Sequence, residues 1–318
     1  MDESLPAQNC WFLTGPTACG KTDVGMRLAE RLGAEIVSLD SMAIYRGMDI
    51  GTAKPTAEQQ QLVPHHLIDL VEPHEEFSLA TYVEAAEVMV REIEARRRRV
   101  LFVGGTPLYL KALLRGIFAG PPADWQFRHE VEAELATVGQ QALYDRLRSV
   151  DPLSASKLHP NDTRRLIRAL EVYRATGQPI SHLQMQFDEG LPAEGCRVFV
   201  LNRARAELHE RIAKRVDWML AAGFEAEVAG LLERPEPMSR TASQAVGYRE
   251  MIDLVSGRSD RPTTIEKMRT RTRRFAKRQM TWFRSLCECR FVDLEGDGDI
   301  DAISARIQQL GSTVQPEA

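Results

Sequence analysis

The sequence has 318 residues, of which 43% are hydrophobic and 27% are charged, and its formal net charge is −4. This composition is typical of a globular protein with a sizeable core, and it excludes a disordered chain, a coiled coil and a collagen-like repeat. No apolar run approaches the ~18 residues of a membrane-spanning helix. The polar N-terminus and the five cysteines, which lack zinc-ligand or framework spacing, lead us to expect a cytoplasmic protein in a reducing compartment.

Strand-like and helical segments alternate along the first third of the chain. Short apolar runs at Cys10–Thr14, Glu35–Leu39 and Val100–Val103 have strand character, and a helical periodicity at about Leu79–Ala95 precedes the third run. Strands that alternate with helices form right-handed βαβ units with a parallel sheet. The sequence therefore predicts a parallel sheet at the start of the chain.

The strand pattern is interrupted in the middle of the chain. Turn residues cluster at Gly116–Ala123, and the periodicities from there to about Pro192 are helical. Strand character returns at Arg197–Leu201, and from Leu208 on the sequence again has helical periodicity. We therefore predict a core made of residues 1–118 and 198–318, with a helical insertion domain at 119–197.

A phosphate-binding motif lies between the first predicted strand and the helix that follows it. The segment matches G-x-x-x-x-G-K-[ST], the motif of many ATP-binding proteins. Its glycines let backbone N–H groups turn inward around phosphate oxygens, and the helix N-terminus adds partial positive charge. The motif predicts a phosphate or diphosphate site in an α/β fold with a P-loop NTPase-like parallel sheet core; its residues are Gly15, Pro16, Thr17, Ala18, Cys19, Gly20, Lys21 and Thr22.

The ends of the next strands carry the other candidate site residues. A typical nucleotide hydrolase has an apolar strand that ends in Asp or Glu, whereas Val100–Val103 ends in Gly-Gly-Thr106, which disfavours a motor-type hydrolase. Thr106 would place a hydroxyl beside the carboxyl edge of the sheet. Asp40 ends the second strand; its position fits a general base and a helix cap formed with Ser41 equally well.

A strongly basic segment lies near the C-terminal end, although the overall charge argues weakly against a nucleic-acid partner. Residues 261–290 contain ten Arg or Lys and two Glu, and 264–286 contain no Pro or Gly. On a helix, one side would carry the apolar residues Ile265, Met268, Phe275, Trp282, Phe283 and Leu286. The opposite side favours recognition of a nucleic-acid backbone over a merely solvated face; its cations are Lys267, Arg269, Arg271, Arg273, Arg274, Lys277, Arg278 and Arg284.

Taken together, these motifs resemble those of tRNA dimethylallyltransferases, in order from about residue 10 to residue 292. The segments that carry the resemblance are Gly15–Thr22, Asp40–Pro55, Gly104–Tyr109, His159–Val172, Val246–Arg249 and Ala276–Arg284. The resemblance implies transfer of a dimethylallyl group from its diphosphate to N6 of the adenosine 3′ to the tRNA anticodon, with release of diphosphate. Two alternatives remain open at this point: a P-loop small-molecule kinase and a non-catalytic RNA-binding module.

The resemblance also implies roles for individual residues. Asp40 would be the general base on the N6 amine, and Thr106 would contact the target nucleotide. Lys21 and the loop amides, together with Thr22 and a Mg²⁺ cofactor, would stabilise the leaving diphosphate. Arg215 would be a second diphosphate clamp.

The expected partners are the tRNA anticodon stem-loop and dimethylallyl diphosphate, with no membrane and with a monomeric enzyme. The target adenine must leave its stack to react, so base flipping is expected. The insertion domain and the basic helix would grip the anticodon arm from two sides. Many family members have Gln where this chain has Ala43, which removes a side-chain donor and acceptor. By resemblance the tRNA contacts are Asp40, Ser41, Met42, Ala43, Thr106, Arg128, Arg164, Arg165, Leu166, Ile167, Arg168, Gln244, Ala245, Val246, Gly247, Tyr248, Arg249, Lys277, Arg278, Gln279, Met280, Thr281, Trp282, Phe283 and Arg284.

Overall fold

The computed structural model describes residues 7, 9–118, 120–185, 189–296 and 298–314. Most of the polar N-terminal segment and Ala119, at which the predicted insertion begins, lie outside these residues. The chain divides into two compact units. The first runs to Leu114 and resumes at Gly190, and the second is Arg115–Glu189.

Within the described residues, six strands form one parallel sheet in the first unit. The strands are β1 (Trp11–Thr14), β2 (Ala34–Leu39), β3 (His65–His66), β4 (Arg99–Gly104), β5 (Val198–Arg203) and β6 (Cys289–Leu294). Their order in the sheet is β3-β2-β4-β1-β5-β6, and every neighbouring pair is parallel. The predicted α/β fold with a parallel sheet is confirmed.

Two of these strands were not expected. β3 has only two residues, which is too short to show any periodicity. The expectation that only helices follow Leu208 is wrong at β6, which pairs with β5 from Val198 opposite Cys289 to Arg203 opposite Leu294. Arg290 and Asp293 interrupt its apolar pattern, because an edge strand tolerates charge on its open faces.

Helices surround the sheet and build the second unit. In chain order they are α1 (Lys21–Leu32), α2 (Ala57–Leu62), α3 (Leu79–Ala95), α4 (Pro107–Arg115), α5 (Trp125–Val138), α6 (Gln140–Val150), α7 (Pro152–Lys157), α8 (Thr163–Thr176), α9 (Ile180–Gln184), α10 (Arg205–Ala221), α11 (Phe224–Leu232), α12 (Arg240–Ser243), α13 (Tyr248–Val255), α14 (Arg261–Phe283) and α15 (Ile300–Ser312). A short 3₁₀ turn, Ala193–Gly195, precedes β5. Helices α5–α9 belong to the unit Arg115–Glu189. No helix among the described residues is long and apolar enough to cross a bilayer.

The core of the first unit lies between the sheet and its covering helices. Leu13 on β1 is fully buried, and so is Leu28 on α1. Val24, Leu28 and Leu32 are buried at the helical spacing seen in the sequence. Every residue of β1 and β2 is buried, so both faces of these strands are covered, as is usual for a parallel sheet. This rigid layer fixes the positions of the loops at the carboxyl ends of the strands.

The second unit is organised around a buried carboxylate. Glu171 on α8 is 2% exposed, and it accepts hydrogen bonds from Arg128, Arg168 and the backbone N–H of Asp124. Burial alone would raise the pKa of Glu171, but the two guanidinium groups and the backbone N–H outweigh it and hold this pKa below its usual range. Arg128 and Arg168 are therefore tied into the framework of this unit.

Replacing Glu171 with Gln is expected to destabilise the chain toward the lower end of the ~3–5 kcal/mol that breaking a buried ion pair costs. The lower end is expected because the Arg128 and Arg168 side chains remain 25% and 33% exposed. Since the pKa of Glu171 is lowered, this stability is present above the ordinary Glu value of about 4.3 and is lost as pH falls through the folded-state pKa. Urea unfolding at several pH values measures the difference. Glu130→Gln is the control, because Glu130 is 54% exposed and its pair with Arg174 spans 3.7 Å; an equal effect of both variants would contradict the assignment.

Candidate active site

The carboxyl ends of β1, β2 and β4 bring the predicted site segments to one edge of the sheet. These strands are adjacent in the order β2-β4-β1. The phosphate loop follows β1, Asp40 follows β2, and Gly105 and Thr106 follow β4. Residues that are far apart in sequence therefore meet where ligands of open α/β sheets bind.

The phosphate loop folds tightly over the lysine that follows it. Gly15 and Gly20 have φ angles of 147° and 102°, in the region that favours glycine. The Nζ of Lys21 donates to the carbonyl oxygens of Gly15 (3.0 Å) and Pro16 (2.8 Å). Burial lowers the pKa of Lys21, because a buried ammonium loses its hydration. The loop thus holds a poorly hydrated cation that an anionic ligand would compensate.

Three arginines, from β5 and α10, donate hydrogen bonds to the phosphate loop. The Nε of Arg203 donates to the Cys19 carbonyl at 2.8 Å, and the Nε of Arg211 donates to the Ala18 carbonyl at 3.0 Å. A guanidinium nitrogen of Arg215 donates to the Thr17 hydroxyl at 3.4 Å. Burial lowers the pKa of Arg215. Of these three arginines, only Arg215 was predicted. Arg211 lies four residues earlier on the same face of α10, and this spacing could have indicated that it reaches the same loop.

Asp40 and Thr106 are linked through the backbone between them. The Oδ1 of Asp40 accepts from the Met42 N–H at 2.8 Å, which closes a turn and not the start of a helix. The Thr106 hydroxyl accepts from the Ser41 N–H at 3.1 Å, and the Thr106 N–H donates to the Leu39 carbonyl at 3.1 Å. These bonds fix the carboxylate and the hydroxyl on adjacent strand ends.

Two cavities meet at this edge. The first, of about 140 Å³, is lined by the phosphate-loop residues Thr17, Ala18, Gly20, Lys21 and Thr22. The second, of about 340 Å³, has an apolar wall that includes Ile212, Val216 and Met219. Both cavities are lined by Thr17, Asp40, Thr52, Arg215, Phe275 and Gln279. An anionic group in the first and an aromatic ring in the second would therefore meet beside the Asp40 carboxylate.

Comparison with known proteins shows to which family this chain is similar. A family model described as IPP transferase matches residues 43–286. A tRNA dimethylallyltransferase of Rhodopirellula baltica is 53% identical over 301 residues, which are 92% of this chain and 89% of that protein. One from Pelotomaculum thermopropionicum is 45% identical over 93% of this chain and 94% of its own length.

This chain belongs to the tRNA dimethylallyltransferase family.

Solved structures of relatives have the same fold. The tRNA isopentenylpyrophosphate transferase of Bacillus halodurans aligns with a TM-score of 0.68 and 39% identity, over 96% of this chain and 97% of that one. A eukaryotic dimethylallyltransferase acting on tRNA aligns with a TM-score of 0.72 and 26% identity, over 89% of this chain and 73% of the other.

The structure brings together many of the family-type residues expected to contact tRNA. Within the first unit, the second cavity is lined by Asp40, Ser41, Met42, Thr106, Gln244, Ala245, Val246, Gly247, Tyr248, Arg278 and Gln279. Ala43 lines the first cavity instead. The predicted nucleotide residues of four separate segments thus surround one space.

Some of the other residues predicted to contact tRNA are buried, and some are exposed. In α14, Met280 and Phe283 are 8% and 0% exposed, while Lys277, Arg278, Thr281 and Arg284 are exposed, and Trp282 is half-buried. In α8 of the second unit, Leu166 and Ile167 are buried in an apolar cluster, whereas Arg164 and Arg165 are exposed. Arg249 is exposed as well. The predicted tRNA contacts that are exposed on these helices are therefore mainly polar residues.

The basic face of α14 is narrower than the sequence predicted. The helix runs from Arg261 to Phe283, and its buried positions include Ala276 and Gln279, which were not on the predicted apolar side. Arg269 forms an ion pair with Asp217 at 2.6 Å, and Arg271 pairs with Glu250. Two of the eight predicted cations thus pair with neighbouring helices, because α14 packs against both α10 and α13. The buried side of α14 is therefore wider than the apolar side predicted from the sequence.

A carboxylate that sequence reasoning missed holds the loop after Asp40. Glu227 on α11 accepts from the backbone N–H groups of Asp49 (3.0 Å), Ile50 (2.7 Å) and Gly51 (3.3 Å). It also accepts from the Tyr248 hydroxyl at 2.5 Å. Gly51 lines the second cavity. No local motif marks Glu227, since its partners on that loop lie 176 to 178 residues away.

Proposed function

We propose that this protein transfers the dimethylallyl group of dimethylallyl diphosphate to N6 of the adenosine 3′ to the anticodon of tRNA. The observation that carries the proposal is the junction of the two cavities at Asp40, Thr17 and Arg215. A phosphate site that opens directly into a space lined by the family's nucleotide residues suits a reaction between a diphosphate ester and a base. A small-molecule kinase gives no account of the nucleotide-side residues or of the cations on α14.

The first cavity would bind the diphosphate. The amides of the phosphate loop and the N-terminus of α1 would bind its oxygens. The diphosphate would also give the Lys21 ammonium an anionic partner in place of the water that burial removes. Arg215 lies at the junction, where charge develops on the bridging oxygen as it leaves. Preformed charges of this kind stabilise the leaving group more than the bound substrate.

Mg²⁺ would be held mainly by the substrate. Among the described residues, no group of three or more His, Cys, Asp or Glu side chains is arranged to bind a metal. The Thr22 hydroxyl lines the first cavity, and this oxygen donor suits Mg²⁺, which commonly binds through one or two protein oxygens together with phosphates. When bound, the ion would neutralise charge on the diphosphate. We therefore propose Thr22 as the protein ligand of this site.

The second cavity would bind the flipped adenine beside Asp40. The N6 lone pair attacks the allylic carbon, the bond from that carbon to the diphosphate oxygen breaks, and the Asp40 carboxylate takes the N6 proton. Thr106 is linked to Asp40 through the Ser41 N–H and would bind the base edge. The apolar wall of Ile212, Val216 and Met219 would exclude water from the reacting centre.

The proposed acceptor can be tested with an altered RNA. Anticodon-arm RNA in which purine riboside replaces the target adenosine keeps the ring but lacks the N6 amine. We expect the protein to release diphosphate rapidly from dimethylallyl diphosphate with the adenosine RNA and at background rate with the purine RNA. Equal release with both RNAs would show that N6 is not the acceptor. Both RNAs should compete equally for binding, which controls for recognition.

Exposed cations of α14 would bind the RNA backbone. Replacing both Lys277 and Arg284 with Gln is expected to weaken RNA binding and to lower the slope of log affinity against log salt by about 0.7–0.9 for each RNA phosphate that the variant no longer neutralises. Diphosphate affinity should stay unchanged. A salt titration of RNA binding measures the slope. Arg91→Gln is the matched control, since Arg91 on α3 is 65% exposed and lies outside the predicted contacts; an unaltered slope in the double variant would remove this face from the interface.

A further inference from the structure

We propose that Gln279 is a positioning residue for the diphosphate, which it serves by joining the phosphate loop to the end of β4. This role deepens the proposed function and rests on it. Resemblance to the family placed Gln279 among the tRNA contacts. Its geometry assigns it a different task.

Both ends of the Gln279 amide are engaged by the protein itself. Its Oε1 accepts from the Thr17 N–H at 2.9 Å, and its Nε2 donates to the Gly105 carbonyl at 2.6 Å. The residue is 4% exposed. A side chain in this state has little capacity left for a base or a phosphate of RNA, because its acceptor and one donor are satisfied inside the fold.

The two groups that Gln279 joins both line the diphosphate cavity, as Gln279 itself does. Thr17 belongs to the phosphate loop, and its hydroxyl accepts from Arg215. Gly105 lies against the same loop from the β4 side: a Cβ added there would be 3.2 Å from the Gly15 carbonyl oxygen and 3.5 Å from the Lys21 Nζ. Gln279 therefore sets the separation between the Thr17 turn and the chain that packs against Lys21.

Gly104 at the end of β4 and Gly105 after it each allow a close contact, and the contact at Gly105 is with Gln279. A Cβ on Gly105 would come within 2.7 Å of the Gln279 Nε2, and one on Gly104 would overlap the Leu39 carbonyl. Glycine at 104 lets β4 lie close to β2, and glycine at 105 lets the Gln279 amide reach the backbone. Since an amide carries both a donor and an acceptor, neither Glu nor Met of similar length can make both bonds.

The test separates diphosphate binding from RNA binding. Gln279→Met keeps the length and burial of the side chain but leaves the Thr17 N–H and the Gly105 carbonyl without their partner. We expect it to weaken the affinity for inorganic pyrophosphate, measured by calorimetry, by about tenfold or more. The KM for dimethylallyl diphosphate should rise in parallel, while RNA affinity and the KM for RNA stay close to those of the unaltered protein. Gln279→Glu, which keeps the acceptor and loses the donor, should also bind pyrophosphate more weakly.

Two control variants define the outcomes. Arg278→Gln, at the exposed position directly before Gln279, should weaken RNA binding and leave pyrophosphate affinity unchanged. Thr264→Val removes the hydrogen bond of a buried hydroxyl in the same helix, to Ser259 at 3.1 Å, and should leave pyrophosphate affinity unchanged. Loss of RNA affinity without loss of pyrophosphate affinity in Gln279→Met would overturn the inference, as would equal losses in Thr264→Val. Pyrophosphate binding by Gln279→Glu as tight as that of the unaltered protein would do so too. Failure of the unaltered protein to bind pyrophosphate would instead overturn the proposed function.

Discussion

Replacing Asp40 with Asn is expected to lower the rate of prenyl transfer by about 10²–10⁴-fold, the usual contribution of a general base. Asparagine has the same shape and keeps an oxygen that can accept from the Met42 N–H, so the turn after β2 should persist. It cannot take a proton from N6. Single-turnover transfer to anticodon-arm RNA measures the loss, and RNA affinity should be nearly unchanged.

A second variant distinguishes proton transfer from positioning at this strand end. Thr106→Val removes the hydroxyl that accepts from the Ser41 N–H but leaves the Asp40 carboxylate in place. It should lower transfer less than Asp40→Asn does. Unchanged turnover in Asp40→Asn would show that Asp40 takes no part in the chemistry and that its role is to close the turn with the Met42 N–H.

Replacing Lys21 with Met is expected to lower the rate of transfer by about 10²–10³-fold, the magnitude that loss of one preorganised charge-stabilising group produces. The ligand-free variant should lose no stability, because the buried ammonium of Lys21 has a lowered pKa and its charge is costly there. Thermal unfolding with and without pyrophosphate measures both effects. The ligand should stabilise the unaltered protein strongly and the variant little.

The pH dependence of pyrophosphate binding follows from the lowered pKa of Lys21. Because burial lowers the pKa of Lys21, the group loses its proton at a lower pH than an ordinary lysine does, so pyrophosphate affinity should decline as pH rises through that lowered value. Lys54 is the contrasting lysine of the same cavity. Its Nζ contacts Asp49 at 2.5 Å and Asp69 at 2.6 Å, so Lys54→Met should destabilise the ligand-free protein. If Lys21→Met destabilised it as much, the assignment of Lys21 as a buried cation that forms no ion pair with the described residues would be wrong.

Features that depend on local sequence could be predicted well. The helix at Leu79–Ala95 has the predicted bounds, and the phosphate loop lies between β1 and α1 as its motif required. Both signals are contained within a few turns of chain: a hydrophobic period in one case, and glycines at fixed spacing in the other. Asp40 and Thr106 lie together at one cavity, as expected for residues that follow neighbouring strands of a parallel sheet.

Features that depend on distant contacts could not be predicted. Gln279 acts on Thr17 across 262 residues, and Glu227 acts on the loop after Asp40 across more than 170. The helical periodicity around Gln279 and Glu227 does not indicate which distant residues they contact. The ion pairs of Arg269 and Arg271 were missed for the same reason, since only the packed structure places Asp217 and Glu250 beside them.

The most direct test of the proposed reaction is the mass of the RNA product. Anticodon-arm RNA is incubated with the protein, Mg²⁺ and dimethylallyl diphosphate in the absence of ATP, and is then digested and analysed by mass spectrometry. We expect a gain of one five-carbon unit on the adenosine 3′ to the anticodon. Unmodified RNA, together with consumption of ATP and phosphorylation of a small molecule when ATP is supplied, would contradict the proposed transfer.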